Sequence, residues 1–471
     1  MHRINQMTNH VVQESFAAAD AANPANADDV VVVSALRTPL TKMGRGGLKD
    51  THADKLMTAV IKAGLKESGL DAADIGDMTV GSTTVDLTQA RVAQFEAGMP
   101  DVVPIKVTHR ACSSGLQAVM DVAGAIRNGQ TDVGMALGVE SLSTQRKMGK
   151  QDHIWTPGVF TDSEYSAINS DSLLPMGITS ENVAEKYGIT RERQDRMGML
   201  SMNNCEKAWN TGLFDREVID VETTLIDKQT GEEQKVTISK DDSYREGTTM
   251  EGLAKLPPAF KKDGSTTAGN ASQLSDGAAS VIVAKKEYAD ANGVPPPLPL
   301  GPGPPEPSLT HAAFAAPAGL QQLGRIVSYA VVGCPPAIMG IGPAVAIPVA
   351  LEKAGLTVDD VDQFEINEAF ASQCAYSADL LNIPEEKLNP KGGAIAIGHP
   401  FGMTGNRQVG TLLHELRRTG GKYGIISMCI GSGQGAAAVF EAFPTDTHPD
   451  GPNANKVTKV TDASLGQGRS A

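Results

Sequence analysis

Two cysteines, one histidine and one asparagine stand where the chain is expected to change direction, and together they have the makings of acyl-transfer chemistry. Cys112 opens the run CSSGLQAV; behind it Leu116, Val119, Met120, Ala123 and Ile126 recur at helical spacing, and Gly129 ends the pattern as a C-terminal cap. The thiol thus sits at a predicted helix start, where unpaired amides and the positive end of the helix dipole favour a thiolate and predict a depressed pKa. Taken alone, Cys112 fits a small buried apolar residue as well as a nucleophile. His399 lies in the glycine-rich turn GGAIAIGHPFG ahead of a second predicted helix, with Thr404 as its N-cap and Leu412, Leu413 and Leu416 on its buried face. Asn367 ends the strand-like start of EINEAFA with an uncharged amide donor. Cys429 ends another strand in SMCIGSGQG, whose glycines expose backbone N–H groups.

Positioning these groups requires two similar units, and the chain repeats itself. LKESGLDAADIGDMTVGS (65–82) has a counterpart in LEKAGLTVDDVDQFEINE (351–368), each a helix end, Gly-Leu, an acidic turn and a strand. A second pair, AIRNGQTDVGMALG (125–138) and ELRRTGGKYGIISMCIG (415–431), follows in the same order. Cys112 and His399 are separated by nearly the same offset as the glycines of the first pair, Gly69 and Gly355. They are therefore expected in equivalent turns of two fused α/β units, where a pseudo-twofold axis brings them together. Between the blocks, 143–270 carries helical patterns (TSENVAEKYG, RERQDRMGMLSMNNCEKAWN) and strand-like EVIDVETTLID and QKVTIS, which predicts an insertion lying over the site.

Composition bounds the rest. With 471 residues, 49 glycines and only 4% aromatics, the chain predicts an α/β protein of more than one domain with many tight turns. A net charge of -14 without a basic stripe argues against nucleic acid as partner. The cysteines at 112, 205, 334, 374 and 429 form no CxxC or Cys/His cluster, which predicts a reduced compartment and no metal site. No run is read as a membrane span, and no flavin or nicotinamide motif occurs.

Taken in order, CSSGLQAV, GVES, PMGITSENVAE, TMEGLAKL, KKDGSTTAGNASQLSDGAA, YAVVG, MGIGPA, INEAFASQ, NPKGGAIAIGHP and SMCIGSG resemble the thiolase family, in its degradative, peroxisomal branch. The resemblance spans about residues 29–443 apart from a proline-rich excursion. It implies a thiolase fold: two duplicated βαβαβαββ halves in a layered α/β/α/β/α sandwich with an inserted loop domain, assembled as a homodimer or tetramer. It further implies that Cys112 is the acyl-accepting nucleophile, His399 its base and Cys429 the thiol that exchanges a proton with the α-carbon of acetyl-CoA. Asn367 would hold a water beside His399, and the amides of Cys112 and Gly431 would bind a developing oxyanion. Ser272 and Ala268 match contacts to the pantetheine arm of coenzyme A; Met176 and Phe370 match residues lining the acyl pocket. The implied reaction is cleavage of a 3-ketoacyl-CoA by CoA, with CoA a substrate and no resident cofactor. His109 and Ala111 depart from the Asn and Gln usual around the arginine before the nucleophile, and Phe401 and Met403 from the usual GHP turn. Biosynthetic condensation remains an alternative, although Pro175 stands where biosynthetic members tend to carry His. A non-catalytic CoA-binding subunit is a third reading.

The expected organisation is a targeting segment and linker (1–28), an N-terminal half (29–292) with its loop domain at about 143–270, a proline-rich linker (293–325), a C-terminal half (326–444) and a tail (445–471). Arg3, Ile4, His10 and Val11 share one helical face and resemble an N-terminal peroxisomal targeting helix, which implies an import receptor as partner and the peroxisomal matrix as destination.

Overall fold

The computed structural model describes residues 26–145, 155–227, 229–292 and 321–444; the targeting pattern, most of the proline-rich stretch and the tail lie outside these residues. The β-branched run VVVVSALR forms strand β1 (Val30–Arg37), buried along its whole length. Val31 and Val33 enter one core and Val30 and Val32 another, so the strand is apolar on both faces because both are covered.

The first half continues through α1 (Ala53–Ser68), β2 (Asp77–Gly81), α2 (Leu87–Glu96), β3 (Ile105–Thr108), α3 (Ser114–Arg127) and β4 (Val133–Glu140). The insertion follows, with α4 (Met176–Tyr187), α5 (Arg191–Asn210) and a hairpin of β5 (Val221–Ile226) and β6 (Glu233–Ile238); β7 (Ser275–Lys285) then closes the half. The second half comprises β8 (Gly324–Gly333), α6 (Gly342–Ala354), β9 (Gln363–Ile366), α7 (Ala371–Leu380), α8 (Thr404–Thr419), β10 (Tyr423–Ile430) and β11 (Gln434–Ala442).

The strands line up as β3-β2-β4-β7-β1 and, across a seam, β8-β11-β10-β9; a two-residue strand, Thr41–Lys42, pairs with β7. Each half runs parallel on its outer side and antiparallel toward the seam. The duplication is therefore visible in topology as well as in sequence. It extends to the caps: α1 ends at Gly69 (φ 67°) and α6 at Gly355 (φ 66°), a left-handed turn that glycine enters without strain. At the seam only Val31 with Arg325 and Val32 with Gly324 pair the two half-sheets.

Side chains of α3 and α8 share a core with the inner faces of both half-sheets. Helices α1 and α2 cover the outer face of the first half, and α6 and α7 that of the second. The result is the expected five-layer sandwich. The second half departs from the full pattern at β9, whose free edge meets one bridge, Phe364 to Leu388, instead of a strand. The Asn389 side chain substitutes there: its Oδ1 accepts from Ile366 N and its Nδ2 donates to Ile366 O, both at 2.9 Å. That satisfies the groups another strand would have paired.

Pro336–Ala354 is long and apolar enough to cross a membrane by length and composition. It is a core element, mostly buried and kinked at Ile338. Its apolar character reflects packing against β8 and β11.

The helical part of the insertion rests on the second half, not the half that carries it. Ser180 Oγ lies 2.7 Å from Ser372 Oγ, and Ser201 Oγ donates to Glu368 at 2.6 Å. A buried ionic cluster ties all three parts together. Arg37 makes a bidentate pair with Asp241 (2.7 and 3.0 Å) and donates to Glu217 at 2.8 Å; Lys391 and Thr411 reach the same Glu217 carboxylate at 3.0 and 3.1 Å. Burial alone would raise the Glu217 carboxyl, but Lys391 and Arg37 outweigh it and hold the group at about 2.

Candidate active site

The N-termini of α3 and α8 meet in the central layer. A Cβ on Gly115 would stand 2.3 Å from Asn406 Oδ1, and one on Gly405 would stand 2.2 Å from Leu116 N, so this approach requires glycine on both helices. Cys112 lies in the short 3₁₀ turn Ala111–Ser113 that leads into α3, and His399 lies just before α8. The Cys112 turn packs against α8 and the end of β10. Ser114 closes it, accepting from Arg110 N at 2.9 Å and donating to Ala111 O at 2.7 Å. Ala111 is held at φ 44°, a left-handed conformation that costs a non-glycine residue roughly 1 kcal/mol or more.

Two backbone N–H groups, those of Gly431 and of Cys112 itself, favour the thiolate form of Cys112. Past Gly431 the chain is again strained, with Ser432 at φ 69°. Gly433 follows at φ 93°, where a Cβ would fall 2.3 Å from Cys334 O. Both donors are thus fixed by turns with little freedom. The depressed thiol pKa expected from the helix start is not found. Burial pushes the Cys112 thiol up to about 11, the two amides offset only part of that, and the Glu140 carboxylate adds to the rise. A helix terminus stabilises a thiolate by a few tenths to about 2 kcal/mol, less than full desolvation of a charge opposes it.

His399 is 3% exposed. Thr404, expected to cap α8, makes no side-chain cap bond; its hydroxyl lies 2.7 Å from His399 Nδ1 and donates to Pro400 O at 3.2 Å. In the tautomer in which the Thr404 hydroxyl donates to Pro400, Nδ1–H donates to Thr404 and a lone pair is left on Nε2. Asn367 Nδ2 stands 3.3 Å from Nε2, while Asn367 Oδ1 has no protein partner. Burial, with Arg407 adding to it, lowers the imidazole to about 3. The resting pair is a neutral thiol and a neutral base.

Cys429 is fully buried and donates to Gln373 Oε1 at 3.2 Å. Burial first, then the nearby Cys112, raise its thiol well above the ordinary range. It packs with Met339 and Ala369 and with the half-buried Met176 and Phe370. A Cβ on Gly431 would touch Met176 Sδ at 3.8 Å, so Met176 borders the amide donor. Ser272 lies beside this group, its amide donating to Ala369 O at 3.0 Å. Ala268 is exposed on the preceding turn and takes no part in the buried cluster.

The structure thus joins His399 to Asn367 and Cys429 to Met176 and Phe370, and packs the Cys112 turn against the helix that follows His399 and the strand that leads to Gly431, beyond the ends of β3, β9 and β10. Sequence reasoning missed Gln373, the Thr404 contact, Met339 and Phe260, whose ring meets Phe370 edge-to-face at 5.7 Å. Gln373 sits one turn into α7, in the same INEAFASQ run as Asn367; the others carry no signal that spacing could reveal.

Two sequence families match the chain: thiolase, N-terminal domain, over residues 30–287, and thiolase, C-terminal domain, over 320–442. Rat peroxisomal 3-ketoacyl-CoA thiolase A is 49% identical over 453 residues, covering 94% of this chain and 97% of the rat protein. Human peroxisomal 3-ketoacyl-CoA thiolase is 50% identical over 425 residues, 89% of this chain and 92% of the human one. The crystal structure of the dimeric peroxisomal thiolase of Saccharomyces cerevisiae superimposes with a TM-score of 0.76 at 37% identity, over 89% of this chain and 99% of the yeast chain.

Proposed function

The chain belongs to the thiolase family, and from that premise we propose that it is a 3-ketoacyl-CoA thiolase of fatty-acid β-oxidation, an acyltransferase of the peroxisome. The observation that carries this is the packing of the Cys112 turn against the helix that follows His399 and the strand that holds the second thiol, Cys429.

In the reaction His399 Nε2 takes the Cys112 proton as sulfur attacks the 3-keto carbon. The oxygen of that carbon gains charge opposite the amides of Cys112 and Gly431. The C2–C3 bond then breaks; its electron pair leaves as the enolate of acetyl-CoA, which Cys429 protonates at carbon. Asn367 and His399 hold the thioester oxygen of that enolate. Free CoA next gives its thiol proton to the Cys429 thiolate and attacks the acyl-Cys112 thioester; the Cys112 sulfur leaves and regains the proton held on His399, releasing a chain shortened by two carbons. Neutral resting groups suit this sequence, because charge separates only when the donors are engaged. Coenzyme A is a substrate throughout and not a resident cofactor.

The protein is a homodimer, as its yeast relative is titled. A supporting feature is the free edge of β3 beside exposed Leu87, Val92, Phe95 and Val102. Import is assigned to a receptor reading Arg3, Ile4, His10 and Val11; a tagged chain lacking residues 1–15 is expected to remain in the cytosol, and its arrival in peroxisomes would refute this. The activity is tested by CoA-dependent loss of 3-ketoacyl-CoA absorbance with short and long acyl chains. Turnover is expected on both; activity confined to acetoacetyl-CoA would favour condensation, and none on any chain would overturn the reading.

A further inference from the structure

Glu140 ends β4 in the first half, with its side chain fully buried and no cation bonded to it. Its carboxylate is spent on three donors. Oε1 accepts from Thr83 N at 2.6 Å and from Gly402 N at 3.0 Å, and Oε2 accepts from Thr84 Oγ1 at 2.5 Å. Two of these donors belong to the loop after β2 in the same half. The third, Gly402, belongs to the turn of the second half that carries His399. That turn is pressed hard against the first half: a Cβ on Gly402 would lie 2.6 Å from Ser82 Cα, and Cβ atoms on Gly115 and Gly138 would lie 2.5 and 2.7 Å from Gly402 O. The close contact supplies proximity, and the carboxylate supplies direction.

We propose that Glu140 is a positioning residue for thiolysis, clamping the His399 turn to the first half at Gly402 and so setting where the imidazole stands relative to Cys112. The inference rests on the thiolase reading and deepens it, since that reading assigns Glu140 no task. An acceptor that takes one N–H from each half fixes the separation between them. A buried carboxylate with no cation is an expensive way to fill space. Burial raises its pKa, and hydrogen bonds from Thr84, Thr83 and Gly402 offset part of that rise.

The test compares Glu140→Ala with Glu140→Gln, which both lack the charge. Glutamine keeps an Oε1 acceptor for Thr83 N and Gly402 N, and its NH₂ donates to Thr84 Oγ1. Glu140→Ala is expected to lose roughly 100-fold in kcat with KM little changed, the scale of a displaced catalytic group, and Glu140→Gln to restore most of that loss. The rate of Cys112 alkylation by iodoacetamide, which His399 assists, falls in Glu140→Ala to the level of His399→Ala but not in Glu140→Gln. Equal kcat and equal alkylation in the two variants would overturn the clamp. If Glu140→Ala does not fold, Thr84→Val releases Oε2 alone and is expected to lower kcat several-fold at unchanged KM; no change in kcat overturns the proposal. A wild-type chain inert on every 3-ketoacyl-CoA would sink the reading of function, leaving the alkylation comparison to decide the clamp.

Discussion

Replacing Cys112 by alanine is expected to lower kcat for thiolysis on the order of 10⁴-fold or more while leaving the fold intact, because no other group under the two amides can carry the acyl chain. Position 112 is only half-buried and next to strained Ala111, so truncation creates little void and relieves no packing. Cys429→Ala separates the two thiols: acyl transfer from an acyl-CoA onto Cys112 persists, seen as a mass increase of the intact protein, while carbon–carbon cleavage fails for want of a proton on the enolate. A Cys112→Ala variant retaining more than a hundredth of wild-type turnover would contradict the assignment of nucleophile. So would acylation that survives in that variant.

The largest stability effect is expected away from the chemistry, at Glu217. Glu217→Ala leaves Arg37 with Asp241 and takes from Lys391 the carboxylate bonded to it, both cations being about 1% exposed, and breaking a buried ion cluster on one side costs about 3–5 kcal/mol. Chemical denaturation at neutral pH measures it. The pH dependence has a definite sign. Glu217 is held at about 2 in the folded chain, below its ordinary value, so its contribution is full above the unfolded carboxyl pKa and fades as pH falls through that value toward 2. Wild type therefore loses stability steeply over that acid range, and Glu217→Ala loses less there. A variant within 1 kcal/mol of wild type would show the cluster to be nearly neutral in net energy.

The duplicated architecture was legible because helix caps are local. Gly69 and Gly355 mark the same left-handed turn in both halves, and the unbroken β-branched run of β1 reports a strand covered on both faces. The offset between Cys112 and His399 placed them in equivalent turns, as the helix starts around Gly115 and Gly405 bear out. What spacing left hidden is whatever depends on partners distant in sequence. The direction in which Cys112 titrates is set by enclosure from the second half, which a local helix-dipole argument leaves out. Thr404 reads as a cap by type and position, but the imidazole five residues earlier claims its hydroxyl. The missing strand beside β9 is invisible for a similar reason, since one asparagine amide replaces it. Pro336–Ala354 is apolar because it is a core element, which hydropathy alone does not distinguish from a lipid-facing one.

The seam between the half-sheets is two residue pairs long, so the register of the lobes rests mainly on their shared core and on the buried ionic cluster. Next to the Cys112 turn the lobes meet through a mesh of glycine-faced helix ends. Slack introduced anywhere in that mesh reaches the alignment of the two lobes before it reaches the integrity of either. Turnover is therefore the more fragile of the chain's two properties, and foldedness the more forgiving.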